Sequence, residues 1–152
     1  MPPAASQLHA DAVRWFDRAI ESDSSTASFF LNRADCHQTL GNATEAVADL
    51  ERAKELSSHD AQTQWSIRTR LAMVHNDRGT RLFNHADARR ASVEFSRAIE
   101  CNPKVGTFYT NRAEAMMALN GYTNARDDLL TALRLNANDE RAERLLRSMC
   151  PQ

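Results

Sequence analysis

The stretch FYTNRA at residues 108–113, followed by GYTNARDDLLTALRL at residues 121–135, decides how this chain folds. Each half places small side chains, such as Ala113 and Ala125, among bulky ones at helical spacing. Small residues let a second helix approach closely, and the bulky residues beside them fill the remaining space. Because the pair at 120–121 is Asn-Gly, a turn signal, the stretch predicts two antiparallel helices packed against each other.

The same pattern recurs along the chain. Ala91 and Ala125 occupy the same position in two successive repeats, which share one order of small and bulky side chains. Another repeat has the pattern around Ala46, and Ala12 marks a half repeat that no first helix precedes. The repeats are residues 6–22 (half), 27–60, 72–105 and 106–139, and a tail helix is predicted at residues 140–150. Each repeat leaves an apolar face that only a neighbour can cover.

With its period of about 34 residues and these paired small and large side chains, the chain resembles the tetratricopeptide repeat (TPR) family. The resemblance covers nearly the whole chain. It implies an all-α fold: a right-handed TPR superhelix, or α-solenoid, of antiparallel helix pairs with a capping helix at the C-terminus. The length of 152 residues is that of a single domain.

A second repeated feature predicts how each helix pair is held together. An arginine occupies one site of the first helix in every whole repeat, and a carboxylate follows it in the second helix at a constant spacing. In an antiparallel hairpin that turns midway, these two sites face each other, so we expect a structural ion pair in each repeat. The expected pairs are Arg33 with Asp49, Arg78 with Glu94, and Arg112 with Asp128.

The period breaks between Ala46 and Ala91, because an extra segment, residues 61–71, separates two of the repeats. This segment has no Gly or Pro, and its length makes almost three whole helical turns, so the apolar stripe stays in phase. We predict one helix over residues 60–84, whose first ~16 Å stands beyond the repeats; a loop over the extra segment is the alternative. Trp65 either packs on the end of the preceding helix pair or anchors a partner.

Composition excludes several classes of function. Nineteen basic and twenty acidic residues give a formal charge of −1, which argues against nucleic-acid and membrane-surface binding. No apolar run approaches the ~20 residues of a membrane span, and the N-terminus lacks the pattern of a signal peptide. Three scattered cysteines are typical of reduced thiols, so the cytoplasm is the expected compartment.

The sequence offers no pattern for catalysis. None of the five histidines stands at metal-ligand spacing from another histidine or a cysteine. There is no Gly-rich phosphate loop and no nucleophile elbow. We expect no catalytic residue, no metal and no cofactor, and therefore no enzyme.

The TPR resemblance implies that the first helices of successive repeats line a concave groove that binds a protein or peptide. Methionine adapts to several ligand shapes, which suits such a surface. The alternative is that some of the polar residues of the groove make no contact with a partner and are only exposed to solvent. The residues that we expect to contact a partner are Asn76, Thr80, Phe83, Asn111, Glu114, Met117 and Arg141, together with Trp65 on the extra segment.

The chain also resembles TPR co-chaperones that clamp the C-terminal carboxylate of Hsp70 or Hsp90. We aligned the clamp positions of these co-chaperones with this sequence, starting from the repeat at residue 72. Among the residues found there, only Asn111 and Arg141 suit the binding of a carboxylate. The residues at these positions are Asn76, Thr80, Asn111, Arg141 and Leu145.

The sequence therefore predicts a non-catalytic scaffold that binds a protein or peptide through its groove, its protruding helix, or both. A Hsp70/Hsp90 adaptor is one alternative. A structural component of a larger assembly, such as a cilium or flagellum, is another. It is motivated by the open half repeat at residues 6–22, which could self-associate, and by the extension that carries Trp65.

Overall fold

A computed structural model describes residues 4–149 of the chain, and this part is all-α. The all-α class expected from the sequence is confirmed. The helices are α1 (Ala5–Ser22), α2 (Ala27–Thr39), α3 (Ala43–Leu56), α4 (Ala61–Asn84), α5 (Ala88–Cys101), α6 (Gly106–Ala118), α7 (Tyr122–Leu135) and α8 (Glu140–Ser148). The chain divides within α4 into two compact units, Met1–Val74 and His75–Gln152.

The turn inside each helix pair contains one residue with a left-handed backbone. These residues are Gly41 before α3, Ala86 before α5 and Asn120 before α7, with φ of 80°, 61° and 62°. Glycine and asparagine adopt this conformation readily, whereas an alanine is strained there. The turn expected at residues 120–121 therefore forms, with Asn120 as its left-handed residue.

Side chains cap only some of the helices. Asp87 accepts a hydrogen bond from Arg90 N at the start of α5, and Asp139 does the same for Ala142 N at the start of α8. Asn42 begins α3 without a side-chain cap. Packing, more than capping, thus holds α3 in place.

In the first compact unit, the helix pair α2–α3 packs on α1 and on the first part of α4. The small residues Ala34, Ala46 and Ala53 are fully buried, as the repeat pattern requires for close helix contact. Ile67 and Leu71 of α4 are also buried.

The sequence predicted that the extra segment of α4 stands beyond the repeats, but in the structure it contacts α2 and α3. Arg70 Nε donates to Asp35 Oδ1 of α2 at 3.0 Å, and Gln64 Nε2 donates to the carbonyl oxygen of Lys54 at the end of α3, at 2.7 Å. Trp65, for which packing on the preceding pair was one expectation, is 63% exposed. The segment is helical and packed, and its tryptophan faces solvent.

The second compact unit contains the rest of α4 and helices α5 to α8. Ala91 and Ala125 are fully buried, and Phe95 packs with Ala115, Leu82 and Phe83. Another core cluster consists of Ala113, Ala125, Leu129, Ala132 and Ala142.

Gly79 of α4 admits the ring of Phe95. A Cβ atom at Gly79 would lie 2.6 Å from Phe95 Cε1, closer than any side chain tolerates. The glycine therefore lets α5 place a large ring against α4, at the base of the site described below.

Candidate partner-binding site

An arginine joins the two helices of a pair in the first and last repeats. Arg33 of α2 donates from Nε and Nη2 to the carboxylate of Asp49 in α3, at 2.8 and 2.6 Å. Arg112 of α6 binds Asp128 of α7 in the same way, at 2.7 Å for both bonds. The hydrogen bonds with these carboxylates raise the pKa of each guanidinium, against the lowering effect of burial. Both guanidinium groups therefore remain charged throughout the physiological pH range.

The remaining nitrogen of each arginine reaches the preceding second helix. Arg33 Nη1 donates to Asp17 Oδ1 of α1 at 2.7 Å, and Arg112 Nη1 donates to Ser96 Oγ of α5 at 3.1 Å. Asp17 precedes Arg33 by the same spacing as Ser96 precedes Arg112, so this contact repeats as well. The pattern of an arginine followed by a carboxylate does not indicate this contact, because the acceptor precedes the arginine in the sequence. Each arginine thus joins three consecutive helices.

The pair in the middle repeat differs. Arg78 Nε lies 3.8 Å from Glu94 Oε2, so the expected ion pair is present, but it is longer than the pairs of the other two repeats. Glu94 also binds His75 Nδ1 at 2.8 Å and accepts from Arg97 Nη1 at 2.7 Å. In the other repeats the residue three positions before the arginine is a Phe or Tyr, whose ring centre lies 5.7 or 5.9 Å from the guanidinium carbon. In the middle repeat that residue is His75, and its ring nitrogen Nδ1 contacts the carboxylate of Glu94.

A pocket of about 230 Å³ opens in the second compact unit between α4, α5, α6 and α8. Five of the residues expected to contact a partner line it together. These five are Thr80, Phe83, Asn111, Glu114 and Arg141, and Asn84 and Phe95 complete the lining. The structure thus brings most of the candidate residues of this unit to one place.

A row of hydrogen bonds runs along the polar wall of the pocket and extends to Asn76, which is not itself part of the lining. Asn111 Nδ2 donates to Asn76 Oδ1 at 2.8 Å, which sets the two amides side by side. Arg141 donates from Nη1 to Asn111 Oδ1 at 2.9 Å, and its Nη2 contacts the carboxylate of Glu114. An amide nitrogen has two hydrogens, so Asn111 keeps a second donor beside the one that it gives to Asn76. Such a wall can bind the carbonyl groups of an extended peptide.

The apolar part of the pocket consists of Phe83 and Phe95. Phe95 is buried against Gly79, and Phe83 is half-buried beside it. Aromatic rings next to a few placed polar groups are the usual composition of a ligand site.

An adjoining pocket of about 360 Å³ shares Arg141 and is polar. Asp139 accepts from Thr110 Oγ1 at 2.8 Å and from Ala142 N at 3.0 Å, which fixes its carboxylate. The lining consists of Thr107, Thr110, Asn136, Asn138, Asp139, Glu140 and Arg141.

Two candidate residues lie elsewhere. Met117 packs against the core cluster around Ala113 and Leu129. Trp65 belongs to the first compact unit and does not line the pocket. Leu145, one site of the implied carboxylate clamp, packs on the same cluster as Met117.

The sequence analysis missed two lining residues for which the sequence contains a signal. Asn84 follows Thr80 by about one helical turn and therefore shares its helix face. Phe95 reaches the pocket because the small position of this repeat is Gly79 instead of alanine. A glycine facing a phenylalanine across a hairpin is the pattern that could have indicated it.

Residues 4–149 contain no cluster of metal ligands and no helix that could span a membrane. No group of three or more His, Cys, Asp or Glu side chains in this range could hold a metal ion. None of the helices in the range has the length and apolar character needed to cross a membrane.

Recurring helix pairs, fully buried alanines at each contact and a polar pocket lined by first helices define a helical-repeat protein. Residues 4–61 match the family model named Tetratricopeptide repeat, which supports a TPR domain in this chain. TPR folds serve protein–protein interaction.

Relatives and solved structures agree with this assignment. The chain is 28% identical over 143 residues to Tetratricopeptide repeat protein 16 of Macaca fascicularis, covering 94% of the chain and 16% of that protein. It is 27% identical over 123 residues to DnaJ homolog subfamily C member 7 of Homo sapiens, covering 80% of the chain and 25% of that protein. The chain therefore spans a quarter or less of these relatives. The crystal structure of MamA matches with a TM-score of 0.57 at 14% identity, over 96% of this chain and 82% of that one, which shows a shared fold.

Proposed function

We propose that the chain binds an extended segment of a partner protein in the pocket of the second compact unit, and that it catalyses no reaction there. The observation that carries the proposal is the amide of Asn111, which lines the pocket with the rings of Phe83 and Phe95 and is bonded to the amide of Asn76 at 2.8 Å. The amides supply hydrogen bonds to a peptide backbone, and the rings supply a surface for an apolar side chain.

The charged groups of the pocket support a binding role without catalysis. Glu114 and Arg141 contact each other, and Arg141 also donates to Asn111. A general acid or base needs a group that can exchange its proton with a substrate near neutral pH. An arginine that is paired with a carboxylate does not provide this.

The test is a selection of peptides from a displayed random library on the full chain, followed by measurement of their affinities. Thr80→Lys places a long side chain at the pocket without altering the core, because Thr80 is exposed. Thr131→Lys is a matched control: both hydroxyls donate to the carbonyl oxygen one turn earlier, at 3.0 Å. We expect Thr80→Lys to abolish binding and Thr131→Lys to leave it unchanged. Selected peptides that bind both variants equally would refute the proposal.

The geometry does not favour the Hsp70/Hsp90 carboxylate clamp. Of the sites implied for it, Asn111 and Arg141 do lie together, 2.9 Å apart. However, Arg141 already contacts the carboxylate of Glu114. Titration of a peptide ending in Glu-Glu-Val-Asp decides this point: micromolar binding that is lost in Arg141→Ala would restore the clamp as the function.

A second candidate function, assembly through α1, is favoured by a separate observation. Trp15 is 68% exposed and Leu8 is 54% exposed, and no described residue of α1 is buried. Arg18 lies over the Trp15 ring, 5.5 Å from its centre. Sedimentation of the wild type at several concentrations would detect such assembly. Trp15→Glu is the test variant and Trp65→Glu is the control. A wild-type monomer at all concentrations would exclude self-association through α1.

A further inference from the structure

We infer that the segment bound in the pocket carries a lysine or arginine side chain that pairs with Glu114. This inference rests on the proposed function and adds the chemistry of the partner. The two adjoining pockets are lined by three carboxylates and one cation, which are Glu114, Asp139, Glu140 and Arg141. The surroundings are thus acidic, and they attract a basic ligand and repel an acidic one.

The solvent exposures of the Arg141 and Glu114 side chains also favour a ligand with a cationic side chain. The Arg141 side chain is 45% exposed and stands on a short surface helix, whereas that of Glu114 is 30% exposed. If a ligand cation takes the place of Arg141 on Glu114, the arginine moves into water, where a guanidinium is well solvated. If a ligand carboxylate captures Arg141 instead, Glu114 is left without its partner in a more buried place, which is the costlier exchange.

Arg141 itself shows that this position accepts a guanidinium. Its Nη1 binds Asn111 and its Nη2 contacts Glu114, so one planar cation bridges an amide and a carboxylate. A basic side chain from a partner finds the same two acceptors.

The apolar side of the pocket defines the neighbouring residue of the ligand. Phe83 and Phe95 line the same cavity as Glu114. In an extended segment successive side chains point in opposite directions, so residues two apart point to the same side. The segment that fits best therefore carries an apolar residue two positions from its lysine or arginine.

The experiment uses the tightest peptide selected on the full chain, synthesised with both ends blocked. Versions of this peptide with the basic residue changed to Gln or to Glu are titrated against the wild type. We expect a loss of about tenfold for Gln and a larger loss for Glu. Glu114→Gln should weaken the original peptide by a similar factor, and Glu114→Lys should restore the affinity of the peptide that carries Glu.

Arg141→Gln distinguishes the basic ligand from an acidic one. Without Arg141 as a competitor, a basic peptide binds Glu114 as tightly as before or more tightly, whereas an acidic peptide loses its partner. Selected peptides that lose binding in Thr80→Lys yet contain no basic residue would overturn this inference and leave the proposed function standing. Peptides that ignore Thr80→Lys would overturn both. Circular dichroism of each variant verifies that the helices are intact.

Discussion

Arg33 and Arg112 each bind two helices of their own pair and one helix before it. A single guanidinium has five N–H donors in a fixed plane, so it can satisfy a carboxylate with one edge and a further acceptor with the other. Asp17 and Ser96 are those further acceptors. The arginine thus fixes the angle between consecutive pairs as well as the contact within one pair, a role that lysine with its compact charge could not fill.

The same substitution at two equivalent arginines should have unequal effects. Arg112→Met leaves the buried carboxylate of Asp128 without its two donors, so the free energy of unfolding should fall by about 3 kcal/mol, near the lower end for a buried pair. Arg78→Met should cost less than about 1 kcal/mol, because Glu94 keeps its contacts with His75 and Arg97. Urea unfolding followed by circular dichroism measures both values. Equal losses would mean that the arginines stabilise the repeats by packing alone.

Ala86 is a strained residue whose equivalents are Gly41 and Asn120. With φ of 61°, its Cβ atom is crowded against the backbone, at a cost of about 1–2 kcal/mol. Ala86→Gly should therefore raise the free energy of unfolding by about 0.5–1 kcal/mol after the entropy of glycine is allowed for. Gly41→Ala, the reverse change at φ of 80°, should lower it. Thermal unfolding of the two variants tests the pair, and a destabilised Ala86→Gly would contradict the prediction.

Asp23 gives a prediction for acidic pH. Hydrogen bonds from the Ser25 side chain, then from the Thr26 side chain and Ser25 N, lower its pKa from 3.8 to about 2. Because the folded state has the lower pKa, this contribution to stability is complete above about pH 4 and is lost as pH falls from about 3.8 to 2. Carboxyl NMR titration should give a midpoint near 2 in the wild type. Ser25→Ala should move it towards 3.8, while Ser24→Ala should not.

At the scale of one residue, the sequence predicts which arginine and carboxylate approach each other, but not how closely they bind. The constant spacing places the two groups opposite each other, and Arg33 with Asp49 meets this condition. This spacing does not indicate that His75, at the position where the other repeats have an aromatic residue, binds Glu94 in competition with the arginine. The outcome there depends on a side-chain nitrogen and its distance, which no periodicity encodes.

At the scale of an element, α4 serves two repeats at once. Ala61 lies one full period after Ala27, so the start of α4 is in register with the repeat before it. Its later part faces α5, as the contact of His75 with Glu94 shows. The sequence analysis counted the extra residues only from the following repeat and therefore expected a protrusion. The insertion fits both registers because its length, almost three whole helical turns, keeps the apolar stripe in phase.

Two substitutions on α4 distinguish a packed segment from a protruding one. Ile67 is fully buried, so Ile67→Ala should lower the free energy of unfolding by about 2–5 kcal/mol. Trp65→Ala, two residues earlier on the exposed side, should change it by less than about 0.5 kcal/mol. Urea midpoints of the two variants provide the measurement. A neutral Ile67→Ala would mean that the start of α4 stands in solvent.

The candidate site shows the same division between pattern and geometry. Helical spacing places Thr80 and Phe83 on one face of α4, and the repeat places Asn111 on the matching face of α6, so their common lining of the pocket follows from the sequence. The contact of Arg141 with Glu114 does not follow, because it depends on how α8 is oriented on α6. That contact is the observation behind the proposed preference of the site for a cation.

At the scale of the whole molecule, stability in a repeat protein is a sum over repeats and their nearest neighbours. Helices that contact a neighbour on both sides bury several small and large residues, as α3 and α7 do. α1 has no buried residue among those described, and α8 has only Ala142. Opening of the structure should therefore begin at α1 and α8, and the central repeats should open last.

Hydrogen exchange measured by mass spectrometry tests this order along the full chain. In dilute protein, amides of α1 should exchange much faster than those of α3 and α7, because opening α1 exposes few buried contacts. α8 should lie between them, since Ala142 is its one buried residue among those described, while Leu145 and Leu146 pack on the same cluster only partly buried. Raising the protein concentration adds a second comparison: protection that grows in α1 alone would support assembly through Leu8 and Trp15. Equal protection of α1 and α3 at high dilution would contradict this order of opening.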